Sequence, residues 1–98
     1  MVALRELRDQ SLHCRNCHLW EHATQTVFGA GPSSARLLLV GEQPGDVEDR
    51  RGRPFVGPAG AVLWACVDEA GVARDALYAT NAVKRFKHVA RGTRRIHK

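Results

Sequence analysis

The sequence predicts an α/β domain built on a parallel sheet, and three observations predict it. The run Leu37-Leu38-Leu39-Val40 is continuously apolar, the pattern of a strand covered on both faces. Leu63, Cys66, Val67 and Ala70 then recur at helical spacing between Pro58 and Gly71, residues suited to the first turn and the stop of a helix. A second strand candidate, Ala-Leu-Tyr-Ala-Thr-Asn-Ala-Val, occupies 76–83. Strand, crossover helix and strand make one βαβ unit, right-handed by the general rule.

The remaining elements follow in chain order. Residues 3–12 place Leu4, Leu7 and Leu12 at helical spacing among charged residues, so the chain opens with a short amphipathic helix. That helix ends near His13-Cys14-Arg15-Asn16-Cys17-His18. Residues 22–35 read as loop, with a short extended piece at Thr26-Val27-Phe28. Residues 36–40 form the first strand. From Gly41 to Gly60 the chain carries five glycines, three prolines and four acids, and it reads as one long loop. Ligands of open α/β sheets sit outside the carboxyl ends of the strands, and loops of this length are usually functional or disordered. A loop so rich in backbone-shaping residues suits a small planar or anionic ligand. It is neither a Walker A loop nor a Gly-x-Gly-x-x-Gly fingerprint. Two parallel strands lack neighbours on both sides, so residues 1–98 are expected to be the N-terminal portion of a single larger domain.

Composition and charge narrow the function. No apolar run is long enough to span a membrane, and the N-terminus alternates charged and apolar residues unlike a signal peptide. Three cysteines, two of them in Cys14-x-x-Cys17, suit a reducing, cytoplasmic setting with a metal or redox role better than a disulfide framework. Residues 1–83 hold eight Lys/Arg against ten Asp/Glu, whereas residues 84–98 hold seven Lys/Arg and no acid. Such a block attracts phosphate backbones by counterion release, or is simply a solvated tail. Lys84, Lys87, Arg91, Arg94 and Arg95 are its candidate nucleic-acid contacts.

Four groups of residues have the chemistry of a site. The thiols of Cys14 and Cys17 are half of a four-ligand metal or cluster site, although a redox dithiol has the same spacing. Cys66, on the apolar face of its helix, reads as a buried small hydrophobe. In the glycine loop, Pro44 and Gly45 turn the chain so that backbone N–H groups and the Glu42 carboxylate face one pocket. Phe55, between Pro54 and the Gly57-Pro58 turn, either stacks on a planar ligand or packs into the core. Of the loop acids, Glu48 and Asp49 read as solvated charges before Glu42 and Asp46 do. Asn81, at the end of the second strand, either reads a base edge through paired hydrogen bonds or closes a turn. His97, beside Arg94 and Arg95, is ordinarily a surface or phosphate-contact residue, yet neutral imidazole is a competent nucleophile or base.

In combination these segments resemble the uracil-DNA glycosylase superfamily, specifically its family-4 iron–sulfur branch. Within that branch the resemblance is to the UdgX type, which forms a covalent adduct with uracil-containing DNA. It is carried by Cys14-x-x-Cys17, by Gly-Glu-Gln-Pro-Gly-Asp at 41–46 continuing to Pro-Phe-Val-Gly-Pro-Ala-Gly at 54–60, by Tyr-Ala-Thr-Asn-Ala-Val-Lys at 78–84, and by Arg-Arg-Ile-His-Lys at 94–98. Gln43 and the basic segment ending in Arg-Ile-His separate the UdgX type from ordinary family-4 enzymes.

The resemblance implies a three-layer α/β/α sandwich with a parallel sheet, here truncated to about its N-terminal half. It implies a monomer acting on uracil-containing DNA, preferably single-stranded, with uracil flipped into a pocket. Phe55 would stack on the uracil and Asn81 would hydrogen-bond its edge. Gln43 and Asp46 would help Glu42 hold the polar side. His97, oriented or deprotonated by Glu42, would attack C1′ and leave the DNA attached to protein; the alternatives are a conventional glycosylase that uses water and a non-catalytic, metal-containing DNA-binding module. The implied cofactor is a 4Fe-4S cluster held by Cys14 and Cys17. The family's third ligand directly follows the Asn-x-Val-Lys segment, where this chain has Arg85, and a guanidinium cannot ligate iron. His88 is the substitute ligand, and the family's fourth ligand and its His-Pro-Ser-type loop lie beyond Lys98.

Overall fold

The structure, a computed structural model, describes residues 3–91 and 94–97. Its elements are α1 (Leu4–Ser11), a 3-10 turn at His18–Trp20, β1 (Leu37–Gly41), α2 (Asp46–Arg51), α3 (Pro58–Glu69), a 3-10 turn at Arg74–Ala76, β2 (Leu77–Asn81), β3 (His88–Arg91) and β4 (Arg94–His97). The α/β expectation holds. β1 and β2 pair in parallel from Leu37 opposite Leu77 to Gly41 opposite Asn81, and α3, started by Pro58, lies in the crossover between them.

The two strands differ sharply in burial. β2 is nearly enclosed along its length, with Leu77, Ala79, Thr80 and Asn81 buried. The reason is a neighbour on each side. Besides β1, the extended segment foreseen around Thr26-Val27-Phe28 runs beside it. Ala30 and Ala79 exchange both backbone hydrogen bonds, at 2.9 and 2.8 Å, and Thr80 Oγ1 donates to the Phe28 carbonyl at 2.6 Å. β1 was expected to be covered on both faces. Instead Leu38 is 62% and Val40 58% exposed, because among the described residues β1 pairs only with β2.

Three further expectations are corrected. The glycine segment is not one long loop, since α2 lies inside it at Asp46–Arg51. The basic segment is not a frayed tail: β3 and β4 pair as an antiparallel hairpin with His88 opposite His97. Cys66 is exposed, because the buried positions of α3 lie elsewhere on the helix, at Gly60. Phe86, only 1% exposed, anchors the hairpin to the remainder. No helix among the described residues is long and apolar enough to cross a membrane.

Candidate active site at the carboxyl ends of the strands

β1 and β2 end together at Gly41 and Asn81, and their pairing continues as Ala82 and Val83 donate to the carbonyls of Gly41 and Glu42, each at 2.9 Å. Asn81 is buried, with its carboxamide against Gly41. A Cβ at position 41 would collide with Asn81 Oδ1 and stand 2.9 Å from Phe55 Cζ. The ring of Phe55 and the amide of Asn81 therefore meet over a backbone position with room only for hydrogen.

Phe55 holds this place at some cost. Its φ of 55° is in the left-handed region, unusual for a bulky side chain and worth roughly 1–3 kcal/mol of strain. Two features of α3 enforce it. The Trp64 indole donates to the Phe55 carbonyl at 3.0 Å, and Gly60 lets the first turn of the helix press against that same carbonyl, where a Cβ would clash. Strain maintained in this way clusters at ligand-binding sites.

The loop acids are arranged in the reverse of the order that the sequence suggests. Glu48 accepts hydrogen bonds from the backbone N–H groups of Gly45 (3.1 Å), Val56 (2.8 Å) and Gly57. One carboxylate thus ties the start of α2 to the start of α3. Asp49 is fully buried and accepts from the Thr24 amide at 2.9 Å and from Arg95 Nη1 at 2.8 Å. Arg95 also pairs with Asp46, which holds Arg50 at 3.3 Å as well. Burial works against the Arg95 charge, yet its hydrogen bonds to Asp49 and Asp46 outweigh this and raise its pKa above the ordinary arginine value. Glu42, by contrast, is exposed, with no side-chain hydrogen bond or ion pair among the described residues.

Arg95 and His97 are two residues apart on β4, so their side chains leave the same face of the strand. Clamping Arg95 onto α2 therefore carries His97 into the glycine segment. There His97 Nε2 lies 2.8 Å from the Pro44 carbonyl. Phe86 organises the same corner: its ring stacks on His88 at 4.5 Å, meets the edge of His97 at 5.4 Å, and lies 5.1 Å from the Arg95 guanidinium carbon. Gln43 Oε1 accepts the Lys87 amide at 3.1 Å, a second tie between the loop and the hairpin. His97 opens onto a cavity of about 460 Å³ between the starts of α2 and α3, which neither Phe55 nor Asn81 lines.

The structure thus brings Phe55 and Asn81 together at one point and His97, Gln43 and Asp46 close to the loop around Pro44. No hydrogen bond joins Glu42 to His97. Two of the five proposed DNA contacts have partners within the protein. Lys84 turns inward, donating to Thr80 Oγ1 at 2.5 Å and to the Asn81 carbonyl at 2.6 Å, and burial lowers its pKa. Arg95 is paired with Asp46 and Asp49, so Asp46, which also lines the cavity beside His97, is part of the clamp. Lys87 is exposed. Arg91 and Arg94 occupy strand positions in the hairpin, but their side chains lie outside the described part of the structure.

Among the described residues, the implied cluster finds no third ligand beside Cys14 and Cys17. Cys14 and Cys17 are both exposed, and no group of three or more His, Cys, Asp or Glu side chains among the described residues is placed to hold a metal ion. His88 is not turned toward them. It stacks on Phe86, with Nδ1 at 3.3 Å from the Phe86 carbonyl. Sequence reasoning missed Phe86, Glu48 and Asp49. Two of them carried a signal: Phe86 is the lone aromatic in a cationic run, and Glu48 lies three residues after the Gly45 turn, as in a capping box, whereas nothing local marked Asp49.

A family model described as the uracil DNA glycosylase superfamily matches residues 28–98, most of the chain, including Phe55, Asn81 and His97. The chain belongs to this superfamily. Among curated relatives, it is 41% identical over 85 residues to the Type-4 uracil-DNA glycosylase of Sulfurisphaera tokodaii, covering 86% of this chain and 39% of that protein. The Thermotoga maritima Type-4 uracil-DNA glycosylase is 44% identical over 71 residues, 72% of this chain and 37% of the relative. That of Archaeoglobus fulgidus is 38% identical over 84 residues, 86% and 42%. The chain therefore spans about two fifths of the length of these glycosylases.

Proposed function

We propose that this chain supplies the uracil-recognising part of a uracil-DNA glycosylase, and that His97 captures the cleaved sugar as a covalent adduct. The observation that carries the reading is the meeting of the Phe55 ring and the buried Asn81 carboxamide over Gly41. A flat aromatic face beside a carboxamide with a donor and an acceptor suits a planar base that offers both on one edge. The names of the relatives, all Type-4 uracil-DNA glycosylases, support uracil as that base.

Cleavage breaks the C1′–N1 bond, the electron pair leaves on uracil, and the sugar gains oxocarbenium character. In the trap reading an imidazole nitrogen of His97 donates its lone pair to C1′ and the ring proton passes to the Glu42 carboxylate. A carbonyl only accepts, so the Pro44 contact puts the proton on Nε2 and leaves the lone pair on Nδ1. Attack through Nε2 requires the ring to leave Pro44 and change tautomer, a motion that also allows approach to Glu42. Lys87, exposed beside the loop, is proposed with Arg91 and Arg94 to contact the DNA backbone, preferably of a single strand. The test is denaturing electrophoresis of the full-length protein mixed with uracil-containing single-stranded DNA. A heat-stable shifted band, abolished by His97→Ala, is expected; abasic product without any band rejects the trap.

One observation favours a second reading, conventional turnover with water as nucleophile. Glu42 is exposed and unpartnered by His97, and so is free to orient a water at C1′. Under this reading His97→Ala leaves uracil release intact, whereas Glu42→Gln abolishes it.

A further inference from the structure

We infer that Arg85 does in this chain what a third cluster ligand would do: it ties the Cys14–Cys17 segment to the end of β2, through carbonyl groups and without a metal. The inference draws on family membership only for the expectation that a ligand should stand at this position.

The contacts are specific and long-range. One terminal nitrogen of Arg85, Nη2, faces the carbonyls of Ser11 at 3.2 Å, Cys14 at 3.3 Å and Leu12 at 3.4 Å, residues 71 to 74 positions away in sequence. Ser11 ends α1 and Leu12 caps it. The last carbonyls of a helix have no partners within the helix and carry the negative end of its dipole, so a guanidinium is well matched to them. The neighbouring backbone makes the same corner rigid. The Lys84 carbonyl accepts the Val27 amide at 2.7 Å, and Thr26 Oγ1, buried, donates to the same Ser11 carbonyl at 2.9 Å.

The surroundings of Cys14 are also those of a cation-held corner. A cavity of about 430 Å³ beside it is lined by His13, Arg15, Trp20 and Arg85, and Cys17 is not on its wall. Arg15 lies over the Trp20 ring at 4.3 Å, so a second guanidinium is held at this spot. A residue that cannot ligate iron, yet shares its two terminal N–H groups among the carbonyls of Ser11 and Leu12 at the end of α1 and of Cys14 in the cysteine segment, gives that segment a tie that needs no metal. Arg85 is a positioning residue: it lies four positions after Asn81, and the strut it forms runs from α1 to the turn behind the base-binding wall.

The test uses full-length protein and limited proteolysis of residues 12–24, with iron content measured in parallel. The expected result is that the wild-type segment is cleaved at the same rate before and after treatment with an iron chelator. Arg85→Ala raises that rate by about 10-fold or more, as loss of hydrogen bonds to a charged group opens the segment. Should Arg85→Ala fail to fold, Arg85→Gln, which keeps a donor but no charge, takes its place with the same expectation. Wild-type protection that disappears on iron removal overturns the inference, and so does an Arg85 variant cleaved no faster than wild type.

Discussion

Replacing Asp49 with alanine tests the clamp that delivers His97. Asp49 is 0% exposed, and its carboxylate accepts from the Thr24 amide and from Arg95, whose side chain is 21% exposed. Removing one partner of a buried ion pair costs about 3–5 kcal/mol, because the other charge is left uncompensated. Arg95 retains Asp46 and some solvent, which places the loss at the lower end, and the orphaned Thr24 amide adds about 1 kcal/mol. The expected total is about 3–4 kcal/mol. Domains have about 5–15 kcal/mol in all, and in a protein of the relatives' length 1 kcal/mol shifts the melting temperature by roughly 2–4 °C. Denaturant unfolding of Asp49→Ala, Arg95→Met and the double variant, in full-length protein, measures the pair. A coupling energy of about 2 kcal/mol is expected, since residues in one ion-pair network do not add. Independent, additive losses, or an Asp49→Ala variant within about 1 kcal/mol of wild type, refute the clamp. If His97 forms the proposed adduct, its yield at a temperature where the variant is still folded should fall too, because β4 no longer holds His97 beside Pro44.

Two other predictions follow from the same geometry. Gly41→Ala forces a methyl group against Asn81 Oδ1 and Phe55 Cζ; we expect a stability loss of about 1–3 kcal/mol and uracil binding weakened at least tenfold, and wild-type binding would show that the two groups do not form the base pocket. Tyr78, the chain's one tyrosine, has its pKa raised above 10.0, chiefly by burial, against a smaller opposing pull from Arg8. The unfolded chain then loses the phenolic proton first, so stability contributed by the neutral ring is complete below pH 10 and declines as pH rises through the folded pKa. Phenolate absorbance should titrate above 10, and Tyr78→Phe should lessen the alkaline loss; an unshifted midpoint contradicts the burial.

How far the site could be read from sequence depended on the kind of interaction. Periodicity and punctuation are local signals, so Leu37–Gly41, Pro58–Glu69 and Leu77–Asn81 stood within a residue or two of their expected places. Burial of β1 was misjudged because apolar content says what a strand can bury, while exposure depends on which neighbours pair with it. The hairpin escaped notice because its strands are only four residues long and consist mostly of Arg and His, with Val89 and Ile96 as the one β-branched residue in each. The acids show the limit most clearly. Glu42, Asp46, Glu48 and Asp49 are chemically near-equal and lie within eight positions, yet one is exposed, one brackets two helix starts and two hold Arg95. What separates them is a guanidinium more than forty residues away, a pairing that no local pattern encodes.

That distribution also bears on how the site would work. Asp46, Glu48 and Asp49 are spent on holding the backbone and the hairpin, which leaves Glu42 as the segment's one unengaged carboxylate among the described residues. A carboxylate that must act on a proton during cleavage has to be free beforehand, and its three neighbours are fixed in place. If Glu42 is the acting acid, replacing each of the four should split cleanly. Glu42→Gln would remove activity with little change in stability, whereas Glu48→Gln and Asp49→Asn would lower stability first and activity only in step with it. A stability loss at Glu42 as large as that at Asp49 would mean that the exposed carboxylate is structural after all, and the division of labour drawn from these contacts would fail.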